Sequence, residues 1–120
     1  MSLLALAVAA AASCSKSSPV DPGPPVQTNT ITITATGASP RNVQIAVGSR
    51  VLFINNDARS HNMASDPHPE HTDCPEINQV GFLSPGQNRE TGNLVIARTC
   101  GFHDHDNPNT TSLTGTITIQ

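Results

Sequence analysis

Apolar and polar residues alternate in five short segments of this chain, each rich in β-branched side chains. The segments are 30–36, 42–47, 50–55, 93–98 and 113–119. A period of two residues is typical of strands that bury one face. Glycine, proline, asparagine and aspartate separate the segments, and no stretch has the 3.6-residue apolar period of a helix. The pattern therefore predicts an all-β fold of antiparallel strands, either a sandwich or a barrel.

The first 29 residues do not share this alternation. Residues 1–14, MSLLALAVAAAASC, form an uncharged apolar run that is too short to span a bilayer. We interpret the run as a secretory signal that ends in a bacterial lipobox, which would make Cys14 a lipidated N-terminus. The alternative is ordinary export without lipidation. Residues 15–29 are rich in Ser and Pro, and we interpret them as a linker that holds the domain off a membrane.

The domain predicted from residues 30–120 has little apolar material for its size. The whole chain contains three Phe and no Trp or Tyr. A core this small benefits from a metal or a disulfide. The net charge is −3 and the basic residues are scattered, so nothing indicates nucleic-acid binding. Export would place the domain in a compartment where disulfides persist.

Histidine, cysteine and methionine concentrate in two polar regions, one after the third predicted strand and one before the last. They are His61, Met63, His68, His71 and Cys74 in the first region, and Cys100, His103 and His105 in the second. Long irregular stretches in small domains are usually functional. These side chains are also ligands that copper accepts, so we expect a copper site where the two regions meet at one end of the sandwich.

Four motifs, in this order, resemble the cupredoxins, a superfamily that includes plastocyanin and amicyanin. NNDARSHN (55–62) is similar to the segment that carries their first copper-binding histidine, and FLSPGQ (82–87) to a Pro-Gly turn midway through the domain. CGFH (100–103) has the C-x-x-H spacing of amicyanin and pseudoazurin, and LTGTITI (113–119) is similar to their last strand. The resemblance covers residues 30–120. It implies a Greek-key β-sandwich that binds one copper ion, usually for electron transfer.

The chain departs from the blue copper ligand pattern. That pattern needs two histidines, one cysteine and a weak axial ligand, commonly methionine. No methionine follows His103 in this sequence. When residues 99–102 are aligned with the family's T-Y-x-F/Y strand, Asp104 takes the position of the ligand cysteine. Strand parity therefore favours Cys100 as a packing or disulfide residue.

Two roles remain open for Cys100. If Cys14 is lipidated, Cys74 and Cys100 are left as a pair in an oxidising compartment, and we expect a disulfide between them. Such a bridge would tie the long polar region to the strand that carries the site. The alternative is that Cys100 binds copper as a thiolate.

The sequence predicts a three-histidine site for one copper ion. His103 and His105 are two residues apart on a strand, so their side chains point the same way. His61 stands at the position of the first histidine ligand in the resemblance and completes the set. His68 and His71 are interpreted as surface or loop-packing residues.

The predicted function is that of a copper-binding cupredoxin-like protein of the cell envelope, which transfers electrons or handles copper and is not an enzyme. We expect an exported monomer, periplasmic or a cell-surface lipoprotein, that touches a membrane only through its lipid anchor and has a protein redox partner. One alternative is a disulfide-stapled interaction module without a metal. Another is a copper enzyme, because GFHDH (101–105) also resembles the copper strand of Cu,Zn superoxide dismutases.

Overall fold

Ten strands form the fold in residues 23–120, the part of the chain that the computed structural model describes. Two short 3₁₀ helices, Pro75–Gln79 and Thr111–Leu113, accompany them. The strands are β1 (Val26–Gln27), β2 (Thr30–Thr34), β3 (Gly37–Ser39), β4 (Asn42–Ile45), β5 (Leu52–Asn55), β6 (His61–Ser65), β7 (Gly81–Leu83), β8 (Asn88–Glu90), β9 (Arg98–Asp104) and β10 (Gly115–Ile119). Within this range no helix is long and apolar enough to cross a membrane.

The first part of the chain is only partly described. The predicted signal, Cys14 and the start of the linker lie outside the described residues. Strand β1 falls within the stretch interpreted as linker, and it pairs in parallel with β4. Both of its residues are exposed, so β1 adds an edge to the sheet without adding to the core.

The strands form two sheets that pack face to face. One sheet has the order β1-β4-β10-β9-β6-β7, and the other has the order β3-β2-β5-β8. Neighbours in the sheets are often distant in sequence, as where β4 lies beside β10, and such crossovers are typical of Greek-key sandwiches. The predicted all-β Greek-key sandwich is confirmed. The expectation of antiparallel strands holds only in part, because β4 runs parallel to β10 and β2 runs parallel to β5.

Alternating apolar residues of both sheets build the core. Ile31 and Ile33 of β2 are fully buried, as is Ile117 of β10. Phe53 and Phe102 meet between the sheets, edge to face, with their ring centroids 5.3 Å apart. The period of two seen in the sequence is therefore the pattern of side chains that point into the sandwich.

Five strands lie outside the predicted segments, and one predicted segment is mostly irregular. The five are β1, β3, β6, β7 and β8. In residues 93–97 only Leu94 pairs, through an isolated bridge to Ser49, and the regular strand β9 begins at Arg98. Val95 and Ile96 are 58% and 54% exposed, so this apolar run has no sheet to cover it. Strand β6 lies in the stretch interpreted as irregular. Some of its buried side chains are polar and form hydrogen bonds inside the fold, so the sequence does not show the apolar alternation of a strand there.

The predicted disulfide between Cys74 and Cys100 is present, with the Cα atoms 5.9 Å apart. It joins the residue before the first 3₁₀ helix to strand β9. Arg98 places Nε 2.8 Å from the Cys74 sulfur and donates through Nη2 to Glu76 at 3.1 Å. A disulfide sulfur has no thiolate to offer a metal, so the alternative role of Cys100 as a ligand does not apply.

Removing the disulfide is expected to destabilise the domain by about 3 kcal/mol, because the bridge restricts a loop of the unfolded chain. The two cysteines are separated by 26 residues. Cys74→Ala/Cys100→Ala avoids burying new hydroxyl groups, and urea unfolding at neutral pH measures the change. The unreduced parent should take up no alkylating reagent at either cysteine. An unchanged unfolding midpoint in the double variant would contradict this prediction.

Candidate metal centre

Four histidines converge where the end of β9 meets the segment 66–73. They are His68, His71, His103 and His105. Each offers one ring nitrogen, and the four nitrogens lie within 4.8 Å of one another. Two nitrogens bound to one metal ion at ordinary bond lengths are separated by about 3.4 Å in a tetrahedral site. The most widely separated nitrogens would therefore have to move closer together for all four to bind one ion.

The pairing of β6 with β9 decides which face of the sheet each histidine occupies. Met63 lies opposite Asp104, and Ala64 lies opposite His103. Residues directly opposite share a face, and side chains alternate along each strand. Met63, Asp104 and His61 therefore share the core face, whereas His103 points to the outer face.

His103 is arranged to offer Nε2 to a metal. Its Nδ1 lies 2.6 Å from Oδ1 of Asp66, and since a carboxylate accepts, Nδ1 donates. The neutral ring then carries a lone pair on Nε2, which is buried and has no hydrogen-bond partner within residues 23–120. A buried polar atom without a partner is costly, and a bound cation would remove that cost.

Gly101 makes the contact between Asp66 and His103 possible. A Cβ at position 101 would overlap the carboxylate of Asp66. The backbone N–H of Asp66 also donates to the Gly101 carbonyl at 3.0 Å, which anchors the start of the segment 66–73 on β9. A carboxylate that holds the second nitrogen of a metal-binding histidine fixes the orientation of its ring.

His71 and His105 face each other directly. The distance from Nε2 of His71 to Nδ1 of His105 is 3.2 Å. The backbone of His71 has φ 55°, a left-handed conformation that costs a residue other than glycine on the order of 1 kcal/mol. Burial, and then the charges of the neighbouring histidines, lower the pKa of His71. A lowered pKa favours the neutral imidazole, which is the form that binds a metal.

His68 closes the cluster on the solvent side. Its ring centroid lies 5.0 Å from that of His105 and 5.3 Å from that of His103. His68 is exposed, whereas His103 is buried. The cluster thus lies at the surface, with the buried ring of His103 on strand β9 and the ring of His68 exposed to water.

The segment 66–73 is held in place although it has no regular structure. Asp73 donates its backbone N–H to the carbonyl of Asp66 at 2.9 Å. The side-chain amide of Asn78 donates to the His71 carbonyl at 2.9 Å, and the disulfide at Cys74 anchors the end of the segment. His68 and His71 are therefore positioned before any metal binds.

His61 lies apart from this cluster. Its Nε2 is 2.8 Å from Oδ2 of Asp57, and its Nδ1 is 2.8 Å from Oδ2 of Asp104. Both ring nitrogens are engaged by carboxylates, and the ring is buried on the core face. Of the three histidines expected at the site, the structure brings His103 and His105 together and leaves His61 out.

The sequence interpretation missed His68 and His71, the two residues that complete the cluster. The available signal was the H-x-x-H spacing within PHPEH (67–71), followed three residues later by Cys74. That spacing alone is equally typical of a solvated loop. The spacing indicates a metal site only when the segment is known to fold back onto β9, beside His103 and His105.

The hydrogen bonds of His61 affect the acidity of both neighbouring aspartates. The His61 ring is the main reason that the pKa of Asp57 lies below its usual value. Burial acts to raise the pKa of Asp104, but hydrogen bonds from His61, Asn62, Asn107 and Asp106 outweigh it, so this pKa is also lowered. Both carboxyl groups are therefore favoured in their ionised form.

Several solved structures are similar to this fold. A purple cupredoxin from Nitrosopumilus maritimus is 21% identical with a TM-score of 0.60, covering 78% of this chain and all of that one. Plastocyanin from Dryopteris crassirhizoma is 17% identical with a TM-score of 0.58, and the match covers 76% of this chain and 99% of the plastocyanin. A Cu-containing nitrite reductase from Thermus scotoductus is 18% identical with a TM-score of 0.56, covering 80% of this chain and 22% of its own. No family model and no curated protein matches the sequence. The chain has a cupredoxin-like fold.

Acid is expected to weaken the fold through Asp57 and Asp104. Since both have a lowered pKa when folded, their contribution to stability is complete above about pH 4 and is lost as the pH falls through the folded pKa. Urea midpoints measured from about pH 6 to pH 3 should fall, and they should fall less in Asp57→Asn/Asp104→Asn. Equal losses in the parent and the double variant would show that other groups cause the acid sensitivity.

Proposed function

We propose that this domain binds one copper ion through four imidazoles, those of His68, His71, His103 and His105. The observation that carries the proposal is the convergence of four ring nitrogens within 4.8 Å. One of them, Nε2 of His103, is buried without a partner, and its ring is oriented by Asp66. This arrangement has the features of a metal site with an outer-shell carboxylate.

The donor set supports copper as the metal. Imidazole nitrogen suits copper, zinc, iron and nickel, and Cu(II) binds most tightly among the divalent first-row ions. Cu(II) also accepts four nitrogens in a tetragonal arrangement. The cupredoxin-like fold adds support, since a Cu-containing nitrite reductase is among the similar structures. Competition between Cu(II) and Zn(II) for the purified domain tests this choice.

Copper bound here would lack a thiolate ligand. Both cysteines within the described residues form the disulfide. Blue copper centres owe their character to a cysteine sulfur together with two histidines. The proposed centre is therefore a histidine-only one, with a weak and broad visible absorption in place of the intense band of a copper–thiolate bond.

The exposure of the site favours copper handling over electron transfer. His68 is exposed, and His71 and His105 are partly exposed. A metal at the surface exchanges with external ligands more readily than one enclosed by protein. We therefore favour the binding and delivery of copper as the main role of the protein. Electron transfer with a protein redox partner is the second role, and it is supported by the likeness of the fold to plastocyanin.

We also propose that the protein works outside the cytoplasm, in the cell envelope. A disulfide within the described domain supports this location, because disulfides persist in oxidising compartments. Lipidation of Cys14 would hold a monomeric domain at a membrane through the Ser- and Pro-rich linker. Mass spectrometry of the protein from its membrane fraction tests the lipid.

Single changes among the four histidines should remove most of the copper affinity. His71→Ala and His103→Ala each leave three nitrogen donors. Losing a ligand should cost at least as much affinity as losing a residue that only orients a ligand, so we expect Cu(II) binding to weaken about 100-fold or more. Competition with a chelator of known affinity measures the change. Glu70→Gln, in the same exposed segment, is the matched control and should bind as the parent does.

Two outcomes would contradict the proposed ligand set. Parental affinity in His71→Ala would exclude the segment 66–73 from the site. A parent domain that binds neither copper nor zinc would favour an interaction module without a metal. Superoxide dismutation by the copper-loaded domain would instead favour the enzyme alternative.

Copper affinity should fall as the pH drops below about 6, because protons compete for the imidazoles that must be neutral to bind. The lowered pKa of His71 keeps this ring neutral to lower pH than an ordinary histidine. Copper binding at about pH 6 and below should therefore release protons. Isothermal titrations in buffers of different ionisation enthalpy count these protons. Affinity that stays constant well below pH 6 would argue against imidazole ligands.

A further inference from the structure

We propose that Asp104 is a positioning residue for the metal centre, although its side chain lies on the opposite face of the sheet. Asp104 stands between His103 and His105 in the chain. We infer that its carboxylate, held by His61, fixes the turn that aims His105 at His71. This inference rests on the proposed function, because the site it serves is the four-histidine cluster.

The carboxylate of Asp104 is the centre of a buried hydrogen-bond network. Oδ1 accepts the backbone N–H of Asn62 at 3.1 Å and that of Asp106 at 3.0 Å. Oδ2 accepts from Nδ1 of His61 at 2.8 Å and from the side-chain amide of Asn107 at 3.2 Å. Asp104 is fully buried, and its bond to His61 is buried as well, whereas its other three bonds are partly buried.

This network controls the backbone that carries His105. The Asn107 N–H donates to the Asp104 carbonyl at 3.0 Å and closes a turn directly after β9. The His105 N–H donates to the carbonyl of Asn62 at 2.6 Å, and the N–H of Asn62 is itself held by the Asp104 carboxylate. His105 is thus fixed from both sides, and a rotation of the turn would separate its Nδ1 from Nε2 of His71.

Asp57 supplies a matched comparison for Asp104. Both aspartates contact the same imidazole at 2.8 Å, and both are buried. The other bonds of the Asp57 carboxylate are accepted from the N–H of Ala58 at 2.7 Å and from Arg59 at 3.2 Å. Neither of those residues belongs to the ligand turn. A change at Asp57 therefore disturbs the same buried triad without touching the backbone of His105.

The experiment compares Asp104→Asn with Asp57→Asn in the otherwise unchanged protein. Both variants should lose stability, as thermal unfolding will show. Asp104→Asn should also weaken Cu(II) binding about 10-fold or more, the loss typical of outer-shell partners. Its electron paramagnetic resonance spectrum should show an altered copper hyperfine splitting, which reports donor geometry and not stability. Asp57→Asn should keep the affinity and the spectrum of the parent.

Two results would overturn the positioning role. One is a parental copper spectrum and affinity in Asp104→Asn. The other is an equal loss of affinity in Asp57→Asn, which would attribute the effect to general destabilisation. If the parent binds no copper, the proposed function itself fails, and this inference fails with it. Binding by the parent therefore separates the two failures.

Asn107→Ala decides the question if Asp104→Asn does not fold. This variant removes only the amide donor to Oδ2 and leaves both aspartates and His61 in place. We expect a changed hyperfine splitting and a smaller loss of copper affinity than in Asp104→Asn. A spectrum and an affinity identical to those of the parent would overturn the proposal.

Discussion

The antiparallel register between β6 and β9 is the constraint on which this domain depends. With Ala64 opposite His103 and Met63 opposite Asp104, the histidine goes to the outer face and the aspartate to the core. A slip of one residue would exchange the two faces. The slip would also push Phe102 out of the core, where it packs against Phe53. Apolar packing between the sheets therefore sets the register that builds the polar site.

The two faces of this strand pair use histidine in different ways. On the core face, His61 lies between two carboxylates, and their contact offsets the cost of burying charge. On the outer face, the rings lie against one another, and one buried nitrogen has no partner within the described residues. The first arrangement leaves neither ring nitrogen without a partner, whereas the second leaves Nε2 of His103 free for the proposed metal. The same sandwich thus carries a structural histidine and a cluster of four histidines on opposite sides of one sheet.

A cupredoxin-like fold does not by itself define the metal centre. At the position where the resemblance places a ligand cysteine, this chain has Asp104, and the nearby cysteine, Cys100, is bonded to Cys74. The disulfide instead secures the segment that brings His68 and His71 to the sheet. Function is a property of the site and not of the fold that supports it. In this protein the proposed site lies on the outer face of a cupredoxin-like sandwich.

Local alternation in the sequence was enough for the all-β class, and the resemblance to cupredoxins supplied the Greek-key sandwich. Elimination among the cysteines predicted the disulfide, and i, i+2 spacing predicted that His103 and His105 lie together. The strand β6 was missed since its polar residues are satisfied by partners that only the folded chain supplies. His61 was expected in the metal site and lies in the core, and His71 was expected at the surface and lies in the histidine cluster, for the same reason. Which face His61 takes depends on a partner strand some 40 residues away, and where His71 lies depends on how an irregular segment folds back onto β9. Contacts between distant segments decide both, and no local pattern encodes them.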